Sequence, residues 1–218
     1  QLKEKGSVTR GWLGVHIQRV DPELAKSMEL KDRRGALVSS VQKGSPAAKA
    51  GIKSGDVIVK VDGKEISDFN ELPLYIAGVP VGKKVTIDLI REGKRLTVTA
   101  AIGELKPEKG AKAENTEEED SAKPSQPDRL GLTVAPLSGE MAKQLDLEAG
   151  VVIQSIDPNG PAFEKGVRQG DVIVEVNRKK ISNVENYRNI SKSLTKGSTV
   201  LLLLKRTGGV TMFVAFTL

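Results

Sequence analysis

The chain has 218 residues, 38% of them hydrophobic and 28% charged, with a formal net charge of +6 and no cysteine. That length suits one or two domains, and the missing cysteines exclude disulfide frameworks, thiolate metal sites and cysteine nucleophiles. Lys and Arg are scattered among Asp and Glu and aromatics make up only 3%, so the basic stripe and stacking residues of a nucleic-acid binder are lacking.

Residues 1–10, QLKEKGSVTR, read as polar, helix-like sequence with no secretory signal pattern, as expected of a piece of a longer protein or a mature form. WLGVHIQRV (12–20) alternates and predicts one strand. PELAKSMEL (22–30) places Leu24 and Met28 on one helical face. GALVSSV (35–41) predicts a strand entered through glycine. PAAKAGI (46–52) predicts a short helix, with Pro46 in its first turn and Gly51 at its end. GDVIVKVDGKEI (55–66) pairs two strands across Asp62-Gly63, a strong hairpin signal. ISDFNELPLYIAGV (66–79) opens on a Ser67/Asp68 cap and continues as a helix with Phe69, Leu72 and Ile76 toward the core. Pro73 fits there only if the helix effectively begins near it. VTIDLIREGKRLTVTA (85–100) predicts a hairpin turning at Glu92-Gly93. No apolar run reaches the roughly 18 residues of a membrane-spanning helix.

The chain repeats itself. GALVSSVQKGSPAAKAGIKSGDVIVKVDGKEIS (35–67) lies over GVVIQSIDPNGPAFEKGVRQGDVIVEVNRKKIS (150–182) without a gap. Pro46 meets Pro161, Gly51 meets Gly166, and Gly55-Asp56-Val57-Ile58-Val59 meets Gly170-Asp171-Val172-Ile173-Val174. The register continues from VTIDLIREG into VLLLLKRTG (200–208). Upstream, Leu13-Gly14 meets Leu130-Gly131 after a shift of about two positions. Each copy is a unit of about 90 residues, the size of a small domain and too long for a solenoid repeat. Between them, residues 106–127 lack apolar periodicity and carry prolines and the acidic cluster Glu117, Glu118, Glu119, Asp120. This composition predicts a flexible linker.

Nothing in these residues supplies a catalytic constellation. His16 is the sole histidine, with no Ser–acid pair near it in sequence, and no Gly-Asn-Ser-Gly-Gly-like or HExxH segment is present. Gly51, Gly55, Gly166 and Gly170 follow a short helix and read as turn glycines, not a phosphate cradle. Asp56 and Asp171 read as local caps of the backbone ahead of a strand.

The motifs together resemble a PDZ domain in its circularly permuted bacterial form. The order is a bulky residue then Leu-Gly-Val, then Gly-x-x-Val, then Pro-Ala-x-x-Ala-Gly-Ile-x-x-Gly-Asp-Val-Ile, then a hairpin Asp-Gly, Ile-Ser and a helix. The resemblance implies a β-rich α+β chain of two PDZ-like domains, each a small antiparallel β-barrel or sandwich capped by two helices. The first spans 11–105 and the second 128–218, with 1–10 the tail of a protease-to-PDZ junction. QLKEKGSVTRGWLGV is similar to that junction in the Deg/HtrA family of serine proteases, in the DegP/DegQ-like branch that carries two PDZ domains. The resemblance implies a parent that is an ATP-independent periplasmic endopeptidase and chaperone, assembled from trimers, with no cofactor or metal in the PDZ pair. Its implied partners are C-terminal or unfolded polypeptide segments, its own protease domain and neighbouring subunits, with no nucleic acid and no membrane insertion. A tandem pair from a site-2-type membrane metalloprotease and a non-enzymatic adaptor are the alternatives, which the hundred residues upstream would separate.

By the same resemblance the peptide lies extended against a sheet edge, its carboxylate held by backbone amides that a glycine turns to one point. This puts Trp12, Leu13, Gly14, Val15, His16 and Ile17 at the site, with Val15 and Ile17 on one side of the strand and His16 and Gln18 on the other. The opposite wall is the helix, where Asn70, Leu74 and Ala77 are expected to face the peptide. An apolar C-terminal residue is the predicted preference. In the second unit the loop is Arg129, Leu130, Gly131 and Leu132. Its helix offers Glu185, Asn189 and Lys192 at the matching positions, so weak or no peptide binding and a docking role between subunits are expected there.

Overall fold

The computed structural model describes residues 10–105 and 127–218. The linker predicted over 106–127, its acidic cluster and nearly all of the 1–10 tail lie outside the described residues. Contacts divide the chain into two units, 1–109 and 110–218.

In the first unit the elements run β1 (Gly11–Trp12), β2 (Val15–Gln18), α1 (Pro22–Ser27), β3 (Ala36–Val41), α2 (Pro46–Lys49), β4 (Val57–Val61), β5 (Lys64–Glu65), α3 (Glu71–Ala77), β6 (Lys84–Arg91), β7 (Lys94–Ala101) and β8 (Gly103–Glu104). The main sheet has the order β2-β3-β4-β6-β7, all antiparallel, and β5 pairs with β4. β1 pairs with β8, so the two ends of the unit close against each other. The predicted single strand 12–20 is two strands. Gly14 takes φ +80° between them, a left-handed conformation that no strand can continue through.

Local chemistry accounts for the helices. Asp21 caps α1 by accepting from the Leu24 amide at 2.8 Å, and Leu24 is buried. Ser45 caps α2 by accepting from the Ala48 amide at 3.1 Å, with Pro46 next in the first turn. α3 starts at Glu71, later than the Ser67/Asp68 cap predicts. Pro73 therefore stands in the first turn, where its missing N–H costs no helical hydrogen bond. Asp68 instead closes the preceding turn, its Oδ1 accepting from the amide and side-chain nitrogen of Asn70. On β6, Val85, Ile87 and Leu89 alternate inward and join Ile58, Leu72 and Ile76 in one core.

The second unit repeats the plan with β9 (Leu132–Pro136), α4 (Gly139–Gln144), β10 (Val151–Ile156), α5 (Pro161–Glu164), β11 (Val172–Val176), β12 (Lys179–Lys180), α6 (Val184–Ser193), β13 (Thr199–Lys205) and β14 (Thr211–Thr217). Its sheet order is β14-β13-β11-β10-β9, with β12 on β11. The weaker turn signal Asn177-Arg178 forms the same left-handed pair as Asp62-Gly63, with φ of 48° and 63°. Asn177 Oδ1 accepts from the Leu201 amide at 2.8 Å, as Asp62 Oδ1 does from Thr86 at 2.8 Å. Each unit carries three helical segments among the described residues, one of them a single turn, beside its antiparallel strands. The β-rich α+β class expected from the sequence is the one observed.

Asp56 and Asp171 cap backbone amides as expected, accepting from Lys53 at 2.8 Å and Arg168 at 2.9 Å. Each also holds an arginine that the sequence reading left out. Arg91 donates to both oxygens of Asp56 at 2.6 and 2.7 Å, and Arg206 does the same to Asp171 at 2.6 and 2.8 Å. Both carboxylates are almost completely buried.

Candidate functional site

β2 is an edge strand of the first sheet, paired on one side with β3 and open on the other. α3 packs against β1, just ahead of β2. A groove is left between the Leu13-Gly14 loop, β2 and α3. Trp12, Leu13, Gly14, Val15 and Ile17 line one side, and Pro73, Leu74 and Ala77 line the other, above the buried Leu72 and Ile76. The lining is mainly apolar. Leu74 is 77% exposed, the most exposed large hydrophobic residue described. An aliphatic side chain held out in water on a groove wall is a standing opportunity for apolar contact.

The loop geometry comes from glycine. Gly14 sits at φ +80°, and a Cβ there would lie 2.3 Å from Ser45 Cβ and 2.8 Å from the Trp12 ring. The Leu13 carbonyl accepts from Ala47 at 2.9 Å and the Gly14 carbonyl from Gln42 at 3.0 Å. The loop's carbonyls are thus turned into the domain. A left-handed residue between extended ones aims successive amides the other way, toward one point.

The residues proposed from sequence do not all meet at this groove. His16 is exposed on β2, paired with Ser40, and is absent from the groove lining, as alternation along the strand dictates. Asn70 stands at the helix start with its side chain donating to Asp68 Oδ1 at 2.9 Å, also away from the lining. Arg10, Pro73 and Leu105 line the groove and are outside the set expected from sequence. In the sequence Pro73 signals only a helix start, and Arg10 is separated from the loop by the two residues of β1. Trp12, the sole tryptophan, lines the groove beside Gly14, so its fluorescence reports on this site.

The corresponding loop of the second unit is built differently. Gly131 keeps the left-handed conformation at φ +73°. Asp128 Oδ1 accepts from the amides of Leu130 at 2.9 Å and Leu132 at 3.0 Å, and the Asp128 carbonyl accepts from Gly131 at 3.0 Å. Asp128 Oδ2 accepts from Tyr187 Oη at 2.6 Å and Ser191 Oγ at 2.8 Å, both on α6, which packs against β9. Burial, then the charge of Asp128 and the bond to it, push the Tyr187 phenol far above its ordinary pKa, so it remains a donor. Arg129 donates to the Leu194 carbonyl at 2.7 Å. Glu185, Asn189 and Lys192 are exposed on α6. Among the described residues, no group of three or more His, Cys, Asp or Glu could hold a metal ion, and no helix is long and apolar enough to cross a membrane.

An edge strand, a glycine-turned loop and a flanking helix, repeated twice, define a peptide-binding class of β domain. The chain belongs to the PDZ domain family, whose model matches residues 11–102 and 128–213. It is similar to the probable periplasmic serine endoprotease DegP-like of Pseudomonas fulva (strain 12-X), 40% identical over 218 residues, covering 100% of this chain and 45% of the relative. The protein of the same name from Pseudomonas putida (strain GB-1) is 40% identical over 221 residues, again covering 100% and 45%. The chain therefore spans less than half the length of these curated relatives. Among solved structures, the HtrA-type protease AlgW with decapeptide matches at 37% identity and TM-score 0.46, over 49% of this chain and 33% of that one. The HtrA3 PDZ domain bound to a phage-derived ligand (FGRWV) matches at 25% identity and TM-score 0.39, over 44% and 88%.

Proposed function

We propose that this chain is the substrate-recognition and regulatory module of a Deg/HtrA-type periplasmic serine endopeptidase and chaperone. The first domain takes C-terminal or extended apolar segments of unfolded proteins by strand addition to β2. The second acts mainly by docking between subunits of the assembled protein, and the protease domain and neighbouring subunits are the partners. The observation that carries the reading is the open edge of β2, flanked by the left-handed Gly14 loop and the exposed Leu74 of α3. The DegP-like relatives over the whole chain support the parent activity and the periplasmic location.

In this reading the peptide carboxylate sits on the amides of Leu13, Gly14 and Val15, and its last side chain enters the space between Val15, Ile17, Leu74 and Ala77. Burying a valine-sized side chain contributes about 1.5–3 kcal/mol, a discrimination of roughly tenfold to hundredfold over a charged residue. Titration of Trp12 fluorescence with peptides ending in Val and in Asp is expected to show that preference; equal affinities would sink the pocket. Leu74→Asp is expected to weaken the Val-ending peptide about tenfold by the same argument. Its effect on thermal stability should stay within about 0.5 kcal/mol, since the side chain is exposed in the free protein.

A further inference from the structure

The anion site of the second loop is already filled from within. Asp128 stands two residues ahead of Leu130-Gly131, where the first domain has Gly11 ahead of Leu13-Gly14. The amides of Leu130, Gly131 and Leu132 donate to Asp128, two to its carboxylate and one to its carbonyl, while Tyr187 and Ser191 close on the other carboxylate oxygen. Tyr187 and Ser191 occupy the helix positions that are Leu72 and Ile76 in the first domain. Three positions therefore differ together: Gly, Leu and Ile in one domain, Asp, Tyr and Ser in the other. The first domain could not hold such a group. A Cβ on Gly11 would fall 2.2 Å from the Ile76 carbonyl oxygen.

We propose that Asp128 is the specificity-determining residue of the second domain. Its carboxylate occupies the place a peptide's C-terminal carboxylate would take, so this domain does not admit free C-termini, while Gly11 leaves the first domain's loop open to them. The physics is a competition. An incoming carboxylate must strip Asp128 of four charge-assisted hydrogen bonds and then share a half-buried site with a like charge. The other polar features of this groove, Glu185, Asn189 and Lys192, alter the wall; Asp128 alters the anchor. The proposal rests on reading the first loop as a carboxylate site, and the test separates the two.

The test is a nitrogen-15 titration of the full chain, following the Gly14 and Gly131 amides. The probes are a Val-ending peptide as free acid, the same peptide amidated, and acetate. In the wild type the free acid should move Gly14 and leave Gly131 in place. In Asp128→Ala, Gly131 and Leu132 should respond to the free acid and to acetate, but not to the amidated peptide, with affinity raised about tenfold or more over wild type. Asp128→Ser, whose hydroxyl cannot span from the loop amides to the helix, serves if alanine unfolds the domain. A wild-type Gly131 that titrates in parallel with Gly14 overturns the proposal. So does a folded variant whose Gly131 ignores both carboxylates. If Gly14 ignores the peptide while acetate enters the Asp128→Ala loop, the first-domain reading fails with the role given to Gly11, and the blocking role of Asp128 stands.

Discussion

Gly14→Ala is expected to abolish peptide binding at the first domain and to destabilise that domain by about 2–5 kcal/mol. Two separate penalties add. A non-glycine residue in the left-handed region costs roughly 1–2 kcal/mol, and forcing atoms into a filled space costs about 1–3 kcal/mol more. The space is filled by Ser45, whose Cβ lies 2.3 Å from where the new methyl would stand. Ser45 is fully buried and caps α2, so displacing it also loosens a helix start. Gly44→Ala is the control, because Gly44 has a similar φ of +74° with nothing within 4 Å of a Cβ. It should show the conformational penalty alone, roughly 1–2 kcal/mol, and keep peptide binding. Trp12 fluorescence and thermal unfolding of the two variants check both statements. A Gly14→Ala chain that binds the Val-ending peptide at wild-type affinity would falsify the loop assignment.

Asp56→Ala should lower the stability of the first domain by about 3 kcal/mol, a fall of roughly 12–24 °C in its melting temperature. Asp56 holds the Lys53 amide and both donors of Arg91, and Arg91 reaches on to the Gly51 carbonyl at 2.8 Å. One residue pair thus ties the end of α2, the start of β4 and the end of β6. The bond to Asp56 holds the Arg91 pKa above its ordinary value, against the opposing effect of burial. Removing the carboxylate leaves a partly buried cation without its partner, which is the costly way to break such a pair. Asp56→Ala with Arg91→Met should recover part of the loss, because the stranded charge is gone. Calorimetry of the 218-residue chain is the measurement. Asp171→Ala should have a comparable effect on the second domain, whose Arg206 pair repeats the geometry.

These two predictions draw on features of different legibility. The repeat, the β-rich class, the hairpin at Asp62-Gly63 and the inward face of α3 were all readable, because each is a local pattern of a few residues. Glycine and turn pairs restrict φ where they stand, and apolar spacing at two or at three and four positions reflects strand and helix geometry directly. The partnership of Asp56 with Arg91 was not readable, since 35 positions separate them. The repeat did contain a clue, because Asp171 and Arg206 match Asp56 and Arg91 position for position. The same holds for the strand 12–20. Its alternation is intact across Gly14, and the left-handed turn of that glycine shows only in the folded loop, where Ser45 leaves no room for a side chain.

By itself the amino-acid sequence determined two copies of one small fold, joined by a polar stretch, with a glycine loop in each and an apolar helix wall in the first alone. Periodicity and turn chemistry act over neighbouring residues, so that much is written along the chain. The tertiary structure decided what each loop faces. In the first unit the groove floor is Leu72 and Ile76, and the groove beside the loop stays open. In the second, Asp128 meets Tyr187 and Ser191 from 59 and 63 positions away and fills the loop itself. Such bonds leave no local pattern, because donor and acceptor are brought together only when the helix packs beside the first strand.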